Sequence, residues 1–150
     1  MEFNFRYRFE AAHRFINSTS IPCMTPHGHT WHATLHLQSR RADLNSDNMV
    51  LEFSKMKAAW KKFVGEILDH SYLCNSRDPI LEPLLSSNGQ ARLLLFPGDP
   101  TTEIIALFLF SKAEQMLNAS GLQDLLALRG ITVEETPTNS VFCDRAFYTE

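Results

Sequence analysis

Cysteine is scarce and odd in number, with Cys23, Cys74 and Cys143 the only three in 150 residues. Thiols so few and so widely spaced do not make a disulfide framework; they fit a reducing compartment. No apolar run approaches the length of a membrane span. Positive charge is not in excess either: 14 Lys and Arg stand against 17 Asp and Glu, a formal charge of −3. That balance argues against a nucleic-acid partner held by bulk electrostatics. The opening Met1-Glu2-Phe3-Asn4-Phe5 has no basic n-region and no apolar h-region. No secretory signal is therefore expected, and the expected location is cytoplasmic. Internal repeats and low-complexity segments are missing as well. What is present is an ordinary globular composition, 44% apolar and 21% charged, at a length that suits one domain over residues 1–150.

The apolar periodicity changes along the chain. Phe3, Phe5, Tyr7, Phe9, Ala11 and His13 alternate with Glu2, Asn4, Arg6, Arg8 and Glu10, which predicts an amphipathic strand over residues 3–13. Residues 14–27 read as a loop, and a second strand is predicted from about 28 to 38. Its inward face carries His29, Trp31, Ala33, Leu35 and Leu37; its other face carries Thr30, His32, Thr34 and His36. From Glu52 to about Leu68 the steps become three and four residues, through Phe53, Met56, Trp60, Phe63, Val64 and Ile67, as in an amphipathic helix. Residues 74–100, with four Pro and two Gly, read as a long loop with at most a helical turn. Thr101 is a candidate N-cap for a helix from Ile104 to about Asn118, with Glu103 in its first turn. A short segment, Leu122–Leu128, precedes two final strands, Ile131–Thr136 and Ser140–Phe147. The order strand, strand, helix, helix, strand, strand predicts an α+β domain with a four-stranded antiparallel sheet. The two open edges of such a sheet favour assembly with further copies.

The chemistry concentrates in Cys23-Met24-Thr25-Pro26-His27-Gly28-His29. Residues i and i+2 of a strand share a face, so His27 and His29 can aim at one point. His13 ends the first strand on the same inward face and is the candidate third ligand of an open zinc site. By parity His32 and His36 fall on the other face and read as ordinary surface or core histidines. Cys23 could be a fourth ligand closing the site, a buried apolar residue, or a reactive thiol beside an open metal. Asp69-His70, just past a helix end, can form an acid–base pair in which the carboxylate orients the ring. Glu135 shares a face with Ile131 and Val133, and an inward carboxylate needs a partner. That partner is either an ordinary salt bridge or the two N–H donors of a guanidine-like heterocycle edge. Cys74 and Cys143 read as structural.

Taken in order, Phe9-Glu10-Ala11-Ala12-His13-Arg14-Phe15, Cys23-x-x-x-His27-Gly28-His29, Asp69-His70, Pro100-Thr101-Thr102-Glu103 and Glu135-Thr136 resemble the 6-pyruvoyl-tetrahydropterin synthase / 6-carboxytetrahydropterin synthase family over nearly the whole chain. The resemblance implies the tunnelling fold, in which subunits close a barrel from their sheets as trimers or hexamers, with active sites between subunits. It implies Zn2+ on His13, His27 and His29, Cys23 as catalytic thiolate, Asp69 and His70 as its proton-transfer partners, and Glu135 as the anchor of the pterin ring. Thr102 and Glu103 would lie in the segment lining the pterin pocket. The implied substrate is 7,8-dihydroneopterin triphosphate. The three-residue gap between Cys23 and His27 looks like the bacterial 6-carboxytetrahydropterin branch, which releases acetaldehyde, rather than the pyruvoyl branch. A non-catalytic zinc- or pterin-binding paralogue is the reading outside enzymes. Departures from the family pattern are the long linker from His70 to Pro100, Trp31, Glu52 and Cys74.

Overall fold

A computed structural model describes residues 1–87 and 89–148. The alternating N-terminal segment forms β1, Glu2–His13, and its neighbour β2 spans His27–Ser39. They pair antiparallel without a break, from Glu2 opposite Gln38 to His13 opposite His27. The loop between them carries one helical turn, α1, Ile21–Met24. Two further strands, β5 (Leu126–Thr136) and β6 (Asn139–Asp144), continue the antiparallel ladder from β2 outward. Those four strands and the two helices between the hairpins, α2 (Ser54–Phe63) and α4 (Thr102–Ala119), are the α+β frame that the sequence pattern predicts.

Four departures have physical reasons. The stretch 74–100 is not mainly loop. The chain after His70 enters β3, Ser71–Asn75, then α3, Leu81–Ser87, and β4, Leu93–Phe96. β3 pairs parallel with β1 at Ala11–His13, and β4 pairs parallel with β3, so the sheet has six strands in the order β4-β3-β1-β2-β5-β6. Strands of four and five residues are formed here by their non-local partners, and their own periodicity is too short to announce them. Second, the α2 ladder loosens into a π-helical turn at Val64–Leu68 before Asp69. Third, β5 begins at Leu126, before the predicted Ile131, and a register shift between His36 and Leu37 of β2 accommodates the extra length. Fourth, the chain leaves β6 at Asp144 and turns into α5, Arg145–Tyr148, instead of continuing as strand to Phe147.

One face of the sheet is covered. Phe9, Trp31, Leu35, Leu37, Ile131 and Val133 lie under Met56, Trp60 and Val64 of the α2 segment and Ile105, Leu109 and Phe110 of α4, all buried. Each large side chain so buried contributes about 1.5–3 kcal/mol. Phe53 and Ile67, which share the predicted apolar face of the helix, remain 40% and 42% exposed. Phe53 packs instead against Phe3 and Phe5, with centroids 4.8 and 5.5 Å away. The opposite sheet face is polar. There Arg6 forms a bidentate pair with Glu134 at 2.9 and 3.1 Å, and Thr30 donates to Glu10 at 2.8 Å. Residues Glu2–Phe9 of β1 have no strand partner on their outer edge among the described residues. No helix among the described residues is long and apolar enough to cross a membrane.

At Gly130 the neighbouring strand β6 leaves no room for a side chain. A Cβ there would sit 2.5 Å from the Phe142 ring and 2.7 Å from the Cys143 carbonyl oxygen. The exposed ring can swing aside, but the paired backbone cannot. Gly130→Ala is expected to cost about 1–3 kcal/mol, read as a lower urea midpoint at unchanged slope. An unchanged midpoint would show that β6 gives way freely.

Candidate metal centre and active site

The β1–β2 register builds the centre. His13 lies directly opposite His27, and His29 lies two residues along on the same face. Cross-strand neighbours and i, i+2 neighbours thus close a triangle of imidazoles on the core side of the sheet. Ring centroids are 4.6 Å (His13–His27), 5.2 Å (His13–His29) and 4.9 Å (His27–His29) apart. One nitrogen from each ring falls within 4.8 Å of the others, and no other such group of His, Cys, Asp and Glu occurs among the described residues. Trp31 and Phe15 wall the His13 ring, at 5.1 and 4.9 Å. His13 is fully buried.

Ring orientation tests whether a metal fits. His13 donates Nδ1–H to the Pro100 carbonyl at 3.0 Å, and His27 donates Nδ1–H to the Thr25 carbonyl at 2.8 Å. Each ring is therefore the tautomer with a lone pair on Nε2. The two Nε2 atoms face each other at 3.1 Å. Two lone pairs at that distance repel unless a cation lies between them. Nitrogens bound to one tetrahedral zinc at about 2.05 Å stand roughly 3.3 Å apart, so the spacing suits such an ion. Burial pushes the His13 pKa down to about 4, helped by repulsion from His27 and His29. Burial also lowers His29, against the pull of Glu135. Neutral imidazoles are what a metal binds. The residues present fit a metal ion held by three nitrogens.

Cys23 is outside this cluster. It sits half-buried in α1, where its carbonyl accepts from Phe15 N at 2.8 Å and ties the loop after β1 back on itself. That arrangement favours an open three-histidine site over one closed by the thiol. Cys74 and Cys143 are buried, and burial raises both thiols, Cys74 to about 12.

Glu135 occupies a break in the β5–β6 register between Glu134 and Thr136. Glu134 lies outward on Arg6, while Glu135 turns in, with Oε1 3.6 Å from His13 Nε2. It lines a cleft of about 430 Å3 with Arg6, His29, Thr30 and Thr136. Asp69 and His70 follow the π-helical turn. Asp69 Oδ1 accepts from Glu10 N at 2.9 Å, and Oδ2 accepts from His70 Nδ1 at 2.9 Å. His70 N donates to the Glu10 carbonyl at 2.6 Å, and its φ of 57° is left-handed, a strained conformation for histidine. The Glu10 backbone holds both residues, with the His70 side chain 76% exposed. His70 and His29 border a common open hollow of about 610 Å3. The Glu10 backbone bond, first among its causes, and the His70 ring hold the Asp69 carboxyl below its ordinary pKa. Thr101 caps α4 by accepting from Ile104 N, as predicted. Thr102 opens that helix half-buried and Glu103 is exposed; neither borders the Glu135 cleft. His36 bonds Asn4 and Thr132 on the polar face, consistent with its parity. Sequence patterning missed the Pro100 carbonyl as holder of His13; the only signal was a proline fixed before a helix N-cap.

A profile of the family described as 6-pyruvoyl tetrahydropterin synthase matches residues 2–146. The chain belongs to that family. Curated relatives include proteins named 6-carboxy-5,6,7,8-tetrahydropterin synthase. The one from Haemophilus influenzae is 25% identical over 142 residues, covering 92% of this chain and 93% of that protein. The one from Synechocystis is 30% identical over 111 residues, covering 73% and 71%. Among solved structures, an uncharacterized protein from Wolinella succinogenes aligns with a TM-score of 0.78 at 20% identity, covering 97% and 98% of the two chains. The 6-pyruvoyl tetrahydropterin synthase of Plasmodium falciparum aligns with 0.68 at 18% identity, covering 95% and 96%. These likenesses establish the tunnelling fold of the synthase family for this chain.

Beside the centre, Arg14 and Asp78 fasten the loop after His13 to the segment after β3. Arg14 Nε donates to Asp78 Oδ2 at 2.8 Å, and its Nη2 donates to Oδ1. Asp78 is 3% exposed. The guanidinium holds its carboxyl below the ordinary range. Such a group stabilises the fold fully above the unfolded-state pKa and loses that contribution as pH falls through the lowered folded value. Asp78→Asn should therefore cost about 2–3 kcal/mol at pH 7, with the gap to wild type closing below about pH 4 in chemical denaturation. His27→Ala, at a partly exposed position, should leave a folded chain that no longer retains about one zinc after dialysis. Full retention of zinc would remove His27 from the ligand set.

Proposed function

We propose that this chain is a zinc-dependent lyase converting 7,8-dihydroneopterin triphosphate to 6-carboxy-5,6,7,8-tetrahydropterin, with release of acetaldehyde and triphosphate, in a queuosine-type deazapurine route. The observation that carries the proposal is the trio of imidazoles with one nitrogen of each within 4.8 Å of the others, the Nε2 atoms of His13 and His27 facing each other at 3.1 Å. The names of the curated relatives and the three residues between Cys23 and His27 support the carboxy branch over the pyruvoyl one. The reading takes residues 1–150 as one catalytic domain in the cytoplasm.

Zinc on His13, His27 and His29, when bound, supplies a Lewis acid that lowers the pKa of substrate hydroxyls. The protein groups do the rest. Cys23 acts as a thiolate base and takes a proton from the substrate side chain. Asp69 keeps His70 oriented through its bond to Nδ1, and His70 exchanges the second proton. Glu135 accepts from the two N–H groups on the guanidine-like edge of the pterin, in the cleft it lines beside His29. Thr102 and Glu103, at the start of α4 and outside that cleft, meet the pterin bound by a neighbouring copy. His70 is largely exposed and bonds Asp69, not the trio, which suits a site completed by a neighbouring copy. The free outer edge of β1 and the outer strand β6 are the surfaces on which trimers close a barrel, two of them forming a hexamer.

Zinc-loaded protein incubated with dihydroneopterin triphosphate should yield acetaldehyde in step with a product of the carboxy mass. A pyruvoyl product without acetaldehyde would move the chain to the other branch. No turnover at all would make it a binding protein. In the same assay Cys23→Ala should keep its zinc and lose turnover by more than about a hundredfold; loss of zinc would instead make Cys23 a ligand.

A further inference from the structure

The Pro100 carbonyl does unusual work, because it fixes the tautomer of a buried ring 87 positions earlier in the chain. Its direction is set by one residue. Proline has a fixed φ, so only ψ remains to aim the carbonyl. That ψ is closed by a tight turn in which Thr101 N donates to the Asp99 carbonyl at 2.8 Å. Where Asp99 sits therefore decides where the Pro100 carbonyl points.

Asp99 is held by three donors from two other chain segments. Its Oδ1 accepts from Ile16 N at 3.1 Å and from Asn75 Nδ2 at 2.8 Å, and its Oδ2 accepts from Asn17 N at 2.9 Å. Ile16 and Asn17 belong to the loop that leaves β1 just after His13. Asn75 ends β3, is fully buried, and is itself fixed by accepting from Arg77 N at 3.0 Å. One carboxylate thus gathers the exit of β1, the end of β3 and the start of α4 around the His13 ring.

We propose that Asp99 is a positioning residue for the three-histidine centre. Its carboxylate anchors Pro100 so that the Pro100 carbonyl holds His13 in the tautomer and direction that a metal requires. The assignment rests on reading the histidine trio as a metal site. Groups behind a ligand's second nitrogen commonly change metal affinity by about 10–100-fold. Asp99 acts one step further out, so its effect belongs at the lower end of that range.

Asp99→Asn keeps the shape but replaces one accepting oxygen with an amide that cannot accept. Ile16 N or Asn17 N then loses its partner, and the charge is gone. In the full-length chain, D99N should bind zinc about tenfold more weakly in competition with a chromophoric chelator. It should also lose the exchange-protected, low-field ring N–H resonance of His13 in the proton NMR spectrum. Gly130→Ala, far from the centre, supplies the comparison: its lower stability should move neither readout. A folded D99N with wild-type zinc affinity and a protected ring N–H overturns the proposal. If D99N does not fold, Asn75→Leu decides, since it removes one donor from the same carboxylate; unchanged zinc affinity there also overturns it. Wild-type protein that takes up no zinc overturns the metal reading itself, and the positioning role with it.

Discussion

Everything at the centre depends on the register of β1 against β2. With His13 opposite His27, the trio shares one face and its nitrogens meet. A slip of one residue would send His27 and His29 to the polar face with Arg6, Glu10 and Thr30, and would expose Trp31, Leu35 and Leu37. The hydrophobic core therefore enforces the ligand geometry. About a dozen consecutive cross-strand pairs, from Glu2–Gln38 to His13–His27, resist that slip together. The centre sits at the end of the hairpin where the strands diverge into the α1 loop, which brings half-buried Cys23 to the same end of the sheet.

Much of this was legible before any coordinates. Parity alone put His13, His27, His29 and Glu135 inward and His36 outward, because a strand side chain has only two faces to choose from. The Thr101 cap was readable because capping is a local property of a few adjacent residues. Illegible were β3, whose partner β1 is far back in the chain, Ala11 opposite Ser71, and β4, which pairs only with β3; both are short strands. Parity could not foresee the register break at Glu135, because an irregularity against β6 leaves no mark on the alternation of β5 itself. The π-helical turn before Asp69 and the left-handed His70 are non-local in the same way: the Glu10 backbone fixes both residues.

The stretch between His70 and Pro100 is structural here. Residues 71–96 add two parallel strands and α3 to one edge of the sheet, and carry Asn75 and Asp78, which fasten the loop beyond His13. The polar bonds of this wall are made by buried or half-buried groups with satisfied partners, the condition under which such networks favour one arrangement over its neighbours. Tyr72 Oη is an exception, buried beside this wall without a partner among the described residues.

The span between His13 and Pro100 has a consequence for how the chain is made. His13 and His27 are separated by 14 positions and can approach as soon as the hairpin forms, whereas the carbonyl that fixes the His13 ring arrives 87 positions later. Local hairpins close in microseconds, while contacts across most of a chain wait for the rest of the fold. A growing or half-folded chain thus offers a loose trio of histidines on its hairpin, and a finished one a trio whose His13 ring is fixed. Any tight metal capture at this trio would then be a late event in folding, following the docking of the segment that carries Pro100.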